Sequence, residues 1–357
     1  MTEEASVSRK IPPRSRSAFA SGSNFGERKP TLSVVVPCFN EEPIVGEMHR
    51  RLVALLEQLP AEFEVFYVDD GSTDSTAELL REIQANDTRV RVIRFSRNFG
   101  HQMAITAGLE YTSGDAVVVI DGDLQDPPEV IQEFFEKWAD GNDVVYGMRT
   151  EREGETAFKR WTAKTFYRLM GRLSDTAIPV DTGDFRLMDR AVVDALLDMP
   201  ERDRFVRGMV SWLGFSQVAV PYRRNPRTAG VTKFSLFKML RFATDGIVSF
   251  SILPLRLATW MGFAASGIAM LGILVAVVER LLGVEGLVKG WTSMVIAILF
   301  IGGVQLICMG IIGEYVGRIY GESKKRPLYV VRERMGFSPQ IRSAQLNLKS
   351  KAAAGDR

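Results

Sequence analysis

From residue 31 the chain alternates short, uninterrupted apolar runs with stretches whose apolar residues recur every three or four positions. The runs LSVVV (32–36), FEVFYV (63–68), VRVIRF (90–95) and AVVVI (116–120) are rich in β-branched and aromatic residues and read as strands. Each is followed by a predicted helix, over 43–58, 73–86, 101–112 and 128–139. Continuous apolar strands alternating with helices predict a parallel sheet covered on both faces, an open α/β domain that binds ligands beyond the carboxyl ends of its strands. The polar clusters PCFNEE, DDGSTDST and DGDLQD follow the first, second and fourth strands, at that edge. Past residue 150 the pattern is less regular, and a helix is expected to run to about Met199.

The C-terminal third changes character. Over 234–250, Leu236, Phe237, Met239, Leu240, Ala243, Ile247 and Phe250 share one helical side while Lys238, Arg241 and Asp245 share the other, the pattern of an interfacial helix. Residues 257–278 and 290–313 contain no charge. Each run is long enough to cross a hydrocarbon core of roughly 30 Å at about 1.5 Å per residue. The two spans form a hairpin whose connector, ERLLGVEGLVKG, balances two acids with two bases. The flanks are basic, with Lys238, Arg241 and Arg256 before the hairpin and Arg318, Lys324, Lys325 and Arg326 after it. The excess of Lys and Arg predicts that both flanks, and the α/β domain with them, lie in the cytoplasm.

Composition narrows the function classes. A net charge of +2 over 357 residues argues against a nucleic-acid binder that relies on bulk electrostatics. The two cysteines, Cys38 and Cys308, fall in a strand end and a membrane span, so neither a disulfide nor a metal cage is expected. Residues 1–30 carry six basic side chains with Ser, Pro and Gly and no apolar periodicity, and are expected to be a disordered tail. The expected divisions are a globular domain over 31–233, interfacial helices over 234–256, the two spans, and a cytoplasmic segment over 314–357.

No G-x-G-x-x-G follows the first strand and no G-x-x-x-x-G-K-[ST] occurs, so the phosphate cradles of dinucleotide and P-loop folds are missing. The stretch VVVIDGDLQDPPEV instead places Asp121 and Asp123 about Gly122 at the end of the fourth strand. Mg2+ or Mn2+ suits such a pair, because these hard cations take one or two carboxylates and complete their shell with phosphate and water. Asp126 and Glu129, beside Pro127 and Pro128, read as the charge complement of a helix start. His101 is expected to begin a helix, and Trp212 to serve packing.

Taken together, VPCFNEE, DDGSTDST, SRNFGHQMAI, DGDLQDPPE, GDFRLMDR and the two terminal spans resemble the polyprenyl-phosphate glycosyltransferases of inverting family 2, over roughly residues 31–335. The resemblance implies a GT-A type, Rossmann-like nucleotide-sugar domain followed by interfacial helices and a two-helix transmembrane hairpin. It implies that Pro37, Asn40, Glu41, Asp70 and Asp121 hold the nucleotide sugar and that Asp121 and Asp123 hold the metal. Asp184 in TGDFRL matches the position of the catalytic base, and Arg207, Arg227 and Lys233 match basic positions near the acceptor phosphate or diphosphate. Gly122 replaces an alanine common in the family and is expected to loosen that turn. The implied partners are a nucleotide-diphosphate sugar, with UDP-glucose first, an undecaprenyl or related polyprenyl phosphate, and the bilayer. GDP-mannose, a UDP-N-acetylhexosamine or a modified pentose donor stays open. A processive synthase is disfavoured because no Q-x-x-R-W occurs, and a non-catalytic scaffold leaves Asp70, Asp121, Asp123 and Asp184 unexplained. The glycine-rich stretch GGVQLICMGIIG suits close packing on a neighbouring helix, including one of a second copy.

Overall fold

The computed structural model describes residues 29–150, 182–224, 253–282 and 291–337. Its strands are β1 (Thr31–Cys38), β2 (Glu62–Asp69), β3 (Val90–Phe95), β4 (Ala116–Val119), β5 (Val144–Arg149), β6 (Thr182–Asp189), β7 (Gln217–Tyr222) and β8 (Val331–Met335). They form one sheet in the order β7-β5-β6-β4-β1-β2-β3-β8. The four predicted strands are the parallel centre of this sheet, β4-β1-β2-β3. The sheet as a whole is mixed, which corrects the parallel expectation: β6 runs antiparallel to both β4 and β5, and β8 antiparallel to β3. TGDFRLMD, read only as irregular chain, is strand β6.

Two hydrophobic layers follow from the alternation of side chains along the strands. One face, through Val34, Val36, Val65 and Tyr67, meets α1 (Val45–Leu56), α2 (Thr76–Asn86) and α4 (Ile131–Ala139). The other, through Val35, Phe66, Val68, Val117 and Val119, meets α3 (His101–Tyr111), α5 (Arg190–Leu197) and α6 (Val206–Trp212). In α1 the buried residues Val45, Met48, Leu52, Leu55 and Leu56 keep the three- and four-residue spacing of one helical face. α3 differs, because Ala104 through Leu109 are all buried. Its closest approach is at Gly108, where an added Cβ would stand 2.2 Å from Val35 Cγ1 on β1. Gly108→Ala is therefore expected to lower stability by about 1–3 kcal/mol through overpacking. Thermal unfolding of the purified protein checks this, and a melting temperature equal to the parent's refutes it.

Beyond the sheet, α7 (Leu253–Leu281) and α8 (Trp291–Ser323) pack on each other, with Cys308 Sγ donating to Ala258 O at 3.5 Å. The first expected span, 257–278, falls inside α7, residues 291–313 of the second fall inside α8, and Phe300–Ser323 is long and apolar enough to cross a membrane. α8 continues past the predicted end of its span to Ser323, after which the chain returns to the globular domain. There Tyr329 stacks on Phe95 with ring centroids 4.8 Å apart, and β8 pairs with β3. Phe337 closes the strap against Phe66 and Tyr111. The tail 1–28, the predicted interfacial segment up to residue 252, and Arg227 and Lys233 lie outside the described residues.

Candidate active site

The loops after β1 and β2 are stitched together by short polar side chains. Asn40, at φ 56°, accepts through Oδ1 from Thr73 N at 2.9 Å, and its own N–H donates to Ser72 Oγ at 3.0 Å. Glu41 N donates to Thr76 Oγ1 at 2.9 Å, and Asp69 Oδ1 accepts from Ser72 N at 2.8 Å. Pro37 is buried near the end of β1, in register with Val68 of β2. Asp70 is buried and accepts from two backbone amides, Phe99 N at 2.7 Å and Gly100 N at 2.9 Å. Burial pushes this carboxyl above its ordinary value although both amides oppose the shift. Gly71 makes the approach possible: its φ is +74°, and a Cβ there would meet Arg97 C at 2.5 Å. Asp70 thus fixes the loop that launches α3, and with it the position of His101.

Asp184, on β6, is where the site converges. Arg207 Nε donates to its Oδ1 at 2.8 Å and Arg207 Nη2 to its Oδ2 at 3.2 Å. Gln102 Nε2 donates to Oδ2 at 3.1 Å, and His101 Nε2 also lies 3.1 Å from Oδ2. Burial alone would raise the Asp184 carboxyl. The His101 hydrogen bond and the charge and hydrogen bonds of Arg207 outweigh it and hold the group far below the usual carboxylate range. For His101 the balance is the reverse: burial lowers it, but Asp184 and the charge of Asp121 prevail and favour the imidazolium. Arg186 is not the basic partner of Asp184 that its closeness in sequence suggests. It is buried, its Nη2 donates to Gly183 O at 3.0 Å, and burial brings it down to about 10.

His101 ties this group to the end of β4, since its Nε2 also stands 3.4 Å from Asp121 Oδ1. That oxygen is buried and makes no hydrogen bond. Burial raises Asp121 to about 6; His101 opposes this, while the negative charges of Asp184, Asp126 and Asp123 add to it. Asp123 Oδ1 accepts from Gln125 N at 3.1 Å, and its Oδ2 is 3.9 Å from Arg224 Nη2. An orphaned buried carboxylate oxygen beside a second carboxylate fits a divalent cation. Among the described residues no group of three or more acidic, His or Cys side chains forms a closed cage. Two carboxylates leave most of such a cation's shell to other ligands. Gly122 does not loosen the turn: a Cβ there would lie 3.1 Å from Pro37 O, so the missing methyl lets the turn close on β1.

Asp126 overturns its expected role as a helix-start residue. It is fully buried and accepts from Tyr222 Oη at 2.6 Å and Arg224 Nε at 3.1 Å, with Arg149 Nη2 at 3.7 Å. Arg224 bridges Asp126 and Asp123. Glu129 does sit in the first turn of the 3-10 segment Pro128–Val130, where Arg51 pairs with it at 2.7 Å. Trp212 is not packed in the core; it is 64% exposed. The structure therefore gathers Asp121, Asp123, Asp184 and Arg207 and adds His101, Gln102 and Arg224. The motif SRNFGHQ held the signal for the first two, since polar residues opening a buried helix at a strand-end edge have few other uses.

Two family models match the chain: glycosyl transferase family 2 over residues 33–197, and the GtrB C-terminal hairpin over residues 253–319. The uncharacterized glycosyltransferase YkcC of Bacillus subtilis (strain 168) is 50% identical over 85% of this chain and 94% of its own length. The uncharacterized glycosyltransferase sll0501 of Synechocystis is 45% identical over 86% of this chain and 96% of its own. The bactoprenol glucosyl transferase of Shigella phage SfX is 42% identical over 85% of this chain and 99% of its own. A mixed GT-A-like sheet, acidic residues gathered at its strand ends and a C-terminal helical hairpin agree with these likenesses, and the chain belongs to glycosyl transferase family 2.

Proposed function

We propose that the protein transfers glucose from UDP-glucose to a polyprenyl phosphate at the cytoplasmic face of a membrane, with inversion at the anomeric carbon. The observation that carries this reading is the meeting of Asp121, His101, Asp184 and Arg207, where the end of β4 meets α3, β6 and α6. The bactoprenol glucosyl transferase relatives, aligned over nearly their whole length, support the acceptor and the sugar.

Each part of the site then has a task. The loops of Asn40, Glu41 and Asp70 receive the nucleoside, and Asp121 and Asp123 face the diphosphate. Mg2+ or Mn2+ held by these two carboxylates supplies Lewis-acid stabilisation of the leaving diphosphate. A polyprenyl phosphate has a second pKa of about 6 by analogy with phosphate monoesters, so at neutral pH it is already largely ionised. It needs a positive seat more than a base. Arg207, held by the Asp184 carboxylate, offers that seat, and the family resemblance assigns Arg227 and Lys233 to the same phosphate or diphosphate. Asp184 orients Arg207 and His101 and sets the charge the acceptor meets.

The apolar helix Phe300–Ser323 supports a membrane location. Apolar side chains stand uncovered around the hairpin, with Trp260 71% and Leu306 73% exposed, as a lipid-facing surface requires. A crossing by both helices, with the termini cytoplasmic, follows the basic flanks. The test incubates the detergent-solubilised protein with radiolabelled donor and undecaprenyl phosphate and extracts lipid-linked sugar. Product from UDP-glucose in preference to UDP-N-acetylglucosamine or GDP-mannose is expected, and it should vanish with chelator. No lipid-linked product from any donor refutes the reading.

A further inference from the structure

Gln102 touches both halves of the site's polar core. Its Nε2 donates to Asp184 Oδ2 at 3.1 Å, and its Oε1 accepts from Val206 N at 3.0 Å. Val206 opens α6, and the residue before it, Phe205, provides no side-chain cap. The first N–H groups of a helix have no partner within the helix, so Gln102 caps α6 from another element. One residue further along, Arg207 grips the same Asp184 through two nitrogens. Gln102 is itself fixed by its place in the first turn of α3, where its carbonyl accepts from Thr106 Oγ1 at 2.8 Å.

We propose that Gln102 is a positioning residue for the transfer: it registers α6 against β6, so that Arg207 and Asp184 meet in one geometry. This rests on the role given above to Asp184 and Arg207. The amide suits both contacts. Its N–H2 donates to the carboxylate while its oxygen accepts from the backbone N–H, at the reach that a glutamine side chain provides. Glutamate keeps the acceptor for Val206 but sets a carboxylate against Asp184. Asparagine keeps the chemistry but is one carbon short of spanning both partners.

The experiment compares Gln102→Glu, Gln102→Asn and the control Asp184→Asn in the full-length protein. The readouts are kcat, KM for each substrate, UDP affinity by calorimetry, and melting temperature. Gln102→Glu is expected to lower kcat about thirtyfold or more, with UDP affinity within about twofold of the parent and a folded thermal transition, because geometry at the reacting centre is lost and donor binding is not. Gln102→Asn should lower kcat in the same direction without adding a charge, and so carries the test if Gln102→Glu fails to fold. Parent-like kcat in Gln102→Asn or in a folded Gln102→Glu, with Asp184→Asn inactive, overturns the proposal and leaves the site reading intact. Losses in UDP affinity equal to those in kcat overturn it as well, since they indicate general damage to the site. Full activity of Asp184→Asn removes the site reading itself, and this proposal with it.

Discussion

Asp184→Asn is expected to reduce kcat by about 10²–10⁴-fold, in the range that loss of a positioned ionisable group produces. The substitution preserves shape and removes charge. Four nitrogens face the two carboxylate oxygens: Nε and Nη2 of Arg207, Nε2 of Gln102 and Nε2 of His101. An asparagine amide presents one oxygen and one N–H2, so whichever way it turns, a donor meets a donor. Arg207 then loses its fixed orientation, and His101 loses the partner that favours its charged form. Raising the pH from 6 to 9 is not expected to restore the rate, because the missing element is an orienting charge rather than a proton acceptor. Full recovery at alkaline pH would instead make Asp184 a true general base. The parent has a matching signature. Because the folded carboxyl is held far below its unfolded value, its ion pairing contributes stability above about pH 4 and loses it as the pH falls further. A titration of melting temperature reads this directly.

The second large effect is expected at Asp126. It has no exposed surface, and Tyr222, Arg224 and Arg149 all turn toward it. Asp126→Ala leaves two guanidinium groups beside each other without their shared counter-charge. Removing one partner of a buried ion pair costs about 3–5 kcal/mol. Both arginines here are about one-quarter exposed and regain some hydration, which brings the expected loss nearer about 2–4 kcal/mol. The damage should also reach the diphosphate end, because Arg224 spans Asp126 and Asp123. Weaker UDP binding together with a lower melting temperature is the expected pair of results. A parent-like melting temperature would mean that the arginines find other counter-charges.

The sequence exposed the centre of the sheet because strands buried on both faces must be apolar throughout, as in Val34–Val36 and Val117–Val119. It hid the four strands outside that centre, β5, β6, β7 and β8. β8 reads VRERM, whose three consecutive charges look like loop, yet Arg332 and Arg334 share the exposed face of an outer strand. β6 was obscured by Asp184 and Arg186, two charged residues buried for the sake of the site. The paired aspartates were legible because their spacing is local. The placements of His101 and Arg224 against them, and of Arg207 against Asp184, depend on contacts 20 to 101 residues apart in the chain, and no local pattern encodes those. Asp126 misled for a related reason: its neighbours Pro127 and Pro128 give a helix-start signal, while its true partner Tyr222 lies 96 residues away.

The pairing of β8 with β3 has a consequence for biogenesis. A strand made after both helices of the hairpin completes a sheet begun before them, so the catalytic domain remains unfinished until the membrane segment has been synthesised. Until then β3 is an open edge, with unpaired backbone groups and with Phe95 and Phe66 lacking the rings of Tyr329 and Phe337. A chain cut ahead of α7 would keep that edge permanently, as a template for intermolecular strand pairing. The sheet's outer strand is thus delivered only after the helical hairpin has been made.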